Sequence, residues 1–134
     1  MLIRDYNKYY YGRSIINYHV LPYGLTPEYY KDYIIKDGKS VPIEMFHLIT
    51  NCSEFIGTGN PIPGNSRNPK FVVDTIKSYY FNKDSIYVFC IDEEKKPHWI
   101  IPFIDKGRVV FDEIKNVKME SLSTYKCVSN LYDE

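Results

Sequence analysis

The stretch from Ser85 to Asp112 constrains the fold most strongly, because three apolar runs there are separated by two polar breaks. The first run, residues 85–91, consists almost wholly of β-branched and aromatic residues, the composition of a buried strand. The second run covers residues 98–104 and the third residues 108–111. Between them, Asp105-Lys106-Gly107 has the composition of a three-residue hairpin loop. The stretch predicts an antiparallel meander that forms the core.

The first run carries apolar residues on both faces of the predicted strand, since successive side chains point to opposite sides. Such a strand is typical of the centre of a sheet that is covered on both faces. Helices are expected to provide that cover.

Two helices are predicted before the meander. Thr26-Pro27-Glu28 combines a capping residue, a proline suited to the first helical position and an acid in the first turn. A helix is therefore expected from about Pro27 to Lys36, ended by Asp37-Gly38. A second helix is expected from Pro69 to about Phe81, with Asn68 as its cap.

Other segments complete the predicted fold. Residues 41–49 and 114–119 are expected to be strands, and Ser121 is expected to cap a terminal helix with its apolar stripe at Leu122, Tyr125, Val128 and Leu131. The fold class predicted is α+β: a mostly antiparallel sheet of four to six strands with two or three helices packed on it. The length of 134 residues matches a single domain, residues 1–134.

Charge and cysteine content favour a cytoplasmic protein that binds neither membranes nor nucleic acid. Seventeen basic and seventeen acidic residues cancel, which removes the long-range field of a non-specific nucleic-acid or membrane binder. The three cysteines, Cys52, Cys90 and Cys127, are an odd number without a C-x-x-C pair, so we interpret them as reduced structural thiols. Residues 1–5 lack the pattern of a signal peptide, and no apolar run approaches 18 residues, so neither secretion nor membrane spanning is expected.

Residues 57–70 form the most distinctive loop, with three glycines and three prolines in fourteen residues. Loops of this length are commonly functional. Arg67 and Lys70, with Asn65 nearby, would lie beside the free amides of the second predicted helix, where anions bind. We therefore predict that these three residues contact a protein partner or an anionic small molecule. Ordinary surface loop remains the simplest alternative.

Two further groups of residues are candidates for function. Tyr9 and Tyr11 belong to a tyrosine-rich amino-terminal segment with interspersed cations. Packing of alternate tyrosines on a sheet face is the favoured interpretation, and a contact with a protein partner or with nucleic acid is the alternative. His47 followed by Thr50 has some likeness to the first strand of an ADP-ribosyltransferase-like site, where a His and a Thr lie on one face. A spacing of three would place them on opposite faces of a regular strand, so a structural histidine is favoured.

No catalytic, metal or cofactor site is predicted, since the three histidines are far apart and no P-loop, dinucleotide or hydrolase motif occurs. The acidic runs at residues 92–94 and 112–113 are interpreted as solvated charges.

The segment Leu25-Thr26-Pro27-Glu28-Tyr29-Tyr30, with the later strands and the terminal Glu120-Ser121-Leu122, resembles the SUKH-type immunity proteins. That resemblance implies a protein that binds and blocks a toxin, and it assigns no individual residue.

The function predicted is that of a non-enzymatic binding protein that inhibits a macromolecular partner, such as a phage anti-defence inhibitor or a toxin-immunity protein. One alternative is a protein that binds or sequesters a nucleotide or phosphorylated small molecule at Arg67 and Lys70. The other is an ADP-ribosyltransferase-like enzyme that uses His47.

Overall fold

The computed structural model describes residues 21–50, 55–64 and 67–129, with the backbone alone at residues 29–32 and 43–44. This part of the chain is nearly all β and contains no helix of seven or more residues. Short 3-10 turns occur at Pro22–Gly24 and Met119–Leu122. The strands are β1 (Thr26–Lys36), β2 (Lys39–Ile49), β3 (Phe55–Gly57), β4 (Pro61–Ile62), β5 (Phe71–Phe81), β6 (Ile86–Asp92), β7 (Pro97–Asp105), β8 (Arg108–Ile114) and β9 (Lys126–Val128).

The strands form two antiparallel sheets. The smaller sheet has the order β1-β2-β3, and the larger has the order β4-β5-β6-β7-β8, with β9 paired to β5. The larger sheet curls towards closure, because the Gly64 amide after β4 donates to the Phe111 carbonyl of β8 at 3.3 Å. The α+β prediction is therefore wrong, and the fold is mainly β.

The first predicted helix is strand β1. Asp37 and Gly38 both have positive φ, 54° and 76°, and they join Lys36 directly to its cross-strand partner Lys39. A two-residue turn of that kind matches the twist of a β-hairpin, so Asp37-Gly38 turns a hairpin and does not end a helix.

The second predicted helix is strand β5. Its pairing with β6 is irregular at two places, between Val73 and Thr75 and between Ile76 and Ser78. Each irregularity inserts a residue into the period-two alternation. The buried positions therefore fall at 71, 73, 76, 79 and 81, a spacing of two and three residues that resembles the stripe of a helix.

The terminal helix is also absent from the described residues. The 3-10 turn Met119–Leu122 precedes the short strand β9, and Leu131 lies outside the described residues. The strand predicted over residues 114–119 is wrong as well, since β8 ends at Ile114 and Asn116 adopts a φ of 65°.

The predicted meander is confirmed as β6, β7 and β8, although its second hairpin closes more tightly than expected. Asp105 pairs with Arg108, so Lys106 and Gly107 alone form the turn, both with positive φ. The strand predicted over residues 41–49 is likewise confirmed as β2.

The prediction that the first run is covered on both faces is wrong. Its inward residues Ile86, Val88 and Cys90 are buried, and the other face is partly exposed. The smaller sheet, not a helix, packs on the inward face, where Phe46 of β2 stacks on Tyr79 of β5 with ring centroids 6.0 Å apart. Leu48 and Ile56 of the smaller sheet are fully buried in the same core.

Candidate functional site

A charged cluster lies at one end of the inward face of the meander. His98, at the start of β7, is placed between the end of β6 and the end of β8. Its Nε2 is 2.7 Å from an Asp92 carboxylate oxygen, and its Nδ1 is 2.7 Å from a Glu113 carboxylate oxygen. The imidazole also stacks on Phe71, with centroids 3.6 Å apart and planes 8° from parallel. Asp92 and Glu113, which were predicted to be solvated charges, therefore contact a histidine instead.

Asp92 connects this cluster to the β6–β7 turn. Its second carboxylate oxygen accepts hydrogen bonds from the backbone amides of Glu94 and Lys96, at 2.8 and 2.9 Å. The Lys96 amide, followed by the His98 side chain and the Glu94 amide, lowers the pKa of Asp92 against the opposing effect of desolvation. The carboxylate is thus held in its charged form.

The cluster is suited to a structural role rather than to proton transfer. Each ring nitrogen of His98 lies within hydrogen-bonding distance of a carboxylate oxygen, so neither nitrogen is free to bind a substrate or a metal ion. The nearby Cys90 thiol is no nucleophile either, because burial first, and then the charges of Asp92 and Glu113, raise its pKa to about 12. Among the described residues, no group of three or more His, Cys, Asp or Glu side chains has metal-binding geometry.

His47 occupies a second buried position, on β2. Its ring stacks on Phe55 of β3 with centroids 4.7 Å apart, and desolvation lowers its pKa despite the raising effect of Glu28. The ring lies directly against its cross-strand partner Gly57. A Cβ atom on residue 57 would come within 2.0 Å of the His47 ring, so this glycine leaves room for the imidazole.

We expect Gly57→Ala to destabilise the protein by about 1 to 3 kcal/mol, because the added methyl group overpacks the His47 ring. The measurement is urea unfolding of wild type, both single variants and the double variant with His47→Ala. The free energy of unfolding should fall less in the double variant than the sum of the decreases in the two single variants, because truncation of the His47 ring makes room for the methyl group. Additive losses would show that the ring and the glycine do not compete for space.

The loop residues chosen from the sequence are only partly brought together. Arg67 is exposed, and the Lys70 ammonium pairs with the Asp112 carboxylate at 3.2 Å. Residue 71 begins a strand, so the helix amino terminus that was to supply anion-binding amides does not exist. Asn65, Tyr9 and Tyr11 lie outside the described residues. The assignment of these five residues to a binding site stays a prediction.

The side of β5, β6 and β7 that faces away from the core carries an apolar surface, which was predicted to lie under helices. Phe89 and Trp99 are cross-strand partners with ring centroids 5.0 Å apart, and Tyr80 lies 5.7 Å from Trp99. Tyr125 meets Tyr87 edge-on at 5.7 Å. We call this surface the outward face and define it by Tyr80, Tyr87, Phe89, Ile91, Trp99, Ile101 and Phe103.

The outward face is apolar rather than basic. Phe103, near the tip of the β7–β8 hairpin, is 40% exposed, and the other residues of the face are partly exposed. Asp112 is the cross-strand partner of Ile101, so it borders this face, and its charge is matched by Lys70. Aromatic rings without a surplus of cations are typical of protein interfaces rather than of nucleic-acid sites.

Comparison with known proteins assigns no family: no family model, curated protein or solved structure matches the chain. The SUKH-type resemblance of the Leu25–Tyr30 segment therefore gains no support. Across the residues that the structure describes, no helix is long and apolar enough to span a bilayer.

Proposed function

We propose that the protein is a non-enzymatic binding protein that blocks a macromolecular partner, and that the outward face is its contact surface. The observation that carries the proposal is the aromatic cluster Tyr80, Phe89 and Trp99, which shares this face with the exposed Phe103. Large aromatic side chains are enriched at the centres of protein interfaces, where they contribute much of the binding energy.

The charged cluster of His98, Asp92 and Glu113 supports a binding role rather than a catalytic one. Both nitrogens of His98 are engaged by carboxylates, and the buried Cys90 thiol is held protonated. The candidate partner is a protein of the kind blocked by phage anti-defence or toxin-immunity proteins. That choice rests on the neutral charge balance of the chain and on the apolar nature of the face.

The test compares two substitutions on neighbouring residues of one hairpin. Phe103 lies on the outward face, and Ile104, 58% exposed, points to the opposite side of the strand. Wild type, Phe103→Asp and Ile104→Asp are used to capture proteins from a lysate of the source cell or its host. We expect wild type and Ile104→Asp to capture the same protein. Phe103→Asp should bind that protein at least tenfold more weakly, a loss of about 1.4 kcal/mol in binding free energy.

The captured protein is then purified and its activity is measured with each variant. Inhibition by wild type and by Ile104→Asp, but not by Phe103→Asp, is the expected result. Equal capture by all three variants would exclude the outward face as the contact surface. Capture without any effect on the partner's activity would exclude the inhibitory role.

A further inference from the structure

The hairpin of β1 and β2 ends in an apolar segment that the core does not cover. Tyr33, Ile34 and Ile35 of β1 are 63%, 44% and 75% exposed. Among the described residues, β1 is hydrogen-bonded to β2 alone and lies at the edge of the smaller sheet. A long apolar edge strand is a template for pairing with another strand.

The apolar residues lie on both faces of this strand, and that limits what can cover them. Tyr33 and Ile35 point to one side and Ile34 to the other, since the alternation has a period of two. A flat surface laid against one side would leave the other in water. A strand added in the plane of the sheet extends both faces at once, so it places neighbours beside all three side chains.

The sequence of this segment is complementary to itself when it is reversed. Residues 31–37 read Lys-Asp-Tyr-Ile-Ile-Lys-Asp, with acids and bases exchanged about the central isoleucine. We propose that β1 pairs antiparallel with β1 of a second copy of this chain, on a two-fold axis at Ile34. The register then puts Lys36 opposite Asp32 of the partner subunit and Tyr33 opposite Ile35 of the partner subunit, and symmetry repeats each pair.

Neighbouring registers are less favourable, which makes the proposed one specific. A shift of one residue in one direction places Lys36 opposite Lys31 of the partner subunit, and a shift in the other places Asp37 opposite Asp32 of the partner subunit. Like charges directly opposite one another destabilise a strand pair. Of these three registers, the one centred on Ile34 alone combines opposite charges with aromatic and β-branched pairs.

The charge within each hairpin also favours the assembly. Lys36 and Lys39 are cross-strand partners beside the turn, so two ammonium groups face each other in one copy. The proposed pair places a carboxylate residue on the other side of Lys36. With a formal net charge of zero, two copies have no overall repulsion to overcome.

The first measurement is sedimentation velocity or light scattering of the full chain between about 1 and 100 μM. We expect the mass to rise with concentration from the 15.9 kDa of one chain towards twice that value, and high salt to weaken the association. Ile34→Asp should abolish the dimer, because it places two carboxylates on the two-fold axis. A wild type that stays monomeric throughout this range overturns the proposal.

Charge exchange tests the register itself. Lys36→Asp and Asp32→Lys each place like charges opposite each other twice, so each variant alone should dimerise at least tenfold more weakly. Mixed together, the two variants become complementary and should form a heterodimer, and the double variant should dimerise as wild type does. Circular dichroism verifies that every variant is folded.

Lys39→Asp is the matched control, since it makes the same charge reversal as Lys36→Asp at the same hairpin tip, but on β2 rather than at the proposed interface. It should weaken the dimer far less than Lys36→Asp does, because Lys39 faces Lys36 within one copy and does not face the partner subunit. A wild-type dimer that is weakened equally by Lys39→Asp, or single variants that stay apart when they are mixed, would overturn the proposed pairing. The result is independent of the outward face, which lies on the other sheet.

Discussion

Phe46→Ala is expected to lower the free energy of unfolding by about 3 to 5 kcal/mol, the range of aromatic truncations in protein cores. Phe46 is 3% exposed and stacks on Tyr79, so its ring joins the smaller sheet to the larger one. Removal of the ring leaves a cavity between two sheets, which cannot collapse without moving a whole strand.

Urea unfolding at neutral pH measures the loss, and Phe103→Ala is the matched control. Phe103→Ala removes an identical ring, but Phe103 is 40% exposed. This substitution should therefore lower the free energy of unfolding by no more than about 1 kcal/mol. If Phe46→Ala cost as little as its control, the two sheets would not share one core.

The meander was predictable because its signals are local. Strands β6, β7 and β8 are β-rich runs that follow one another directly, and consecutive runs with short turns pair with their neighbours. Packing of β1, β2 and β3 on this meander is decided by contacts such as Phe46 with Tyr79, which are distant in sequence. No local pattern in the chain predicts that arrangement.

The two helices predicted before the meander are strands, and each of these predictions failed for a physical reason. Asp37-Gly38 can end a helix or turn a hairpin, and the β-rich composition of Tyr33, Ile34 and Ile35 before it favours the hairpin. In β5, the irregularities near Asp74 and Lys77 change the spacing of buried residues from two to three. A strand with bulges therefore imitates helical periodicity.

Part of the charged cluster around His98 could have been predicted by extending the alternation of buried residues along β6. Asp92 continues the buried series Ile86, Val88 and Cys90, which places its side chain inward rather than in solvent. The strand predicted from the sequence ends at Ile91, one residue early, which places Asp92 in a charged turn. Its contact with His98, however, depends on the register between β6 and β7, which the sequence does not reveal.

His98→Ala is expected to be as costly as the core truncation near neutral pH, at about 3 to 5 kcal/mol, because it leaves the carboxylates of Asp92 and Glu113 without the ring that pairs with both of them. The stacked contact with Phe71 is lost as well. The matched control is Lys70→Ala, which breaks the more exposed ion pair with Asp112 and should cost less than about 1 kcal/mol.

Measurements at acid pH separate two contributions to the stability lost in His98→Ala: the electrostatic contribution of the carboxylates and the stacking contribution of Phe71. Hydrogen bonds, led by that of the Lys96 amide, lower the pKa of folded Asp92 below its ordinary value of 3.8. The stabilisation from Asp92 is therefore fully present above pH 3.8 and is lost as the pH falls through the lowered value. Protonation of Asp92 removes the charge that the missing ring would leave without a partner, so the difference in unfolding free energy between wild type and His98→Ala should narrow in urea titrations carried out below pH 3.8. A difference that stays constant with pH would mean that the histidine stabilises the fold only through its stacking on Phe71.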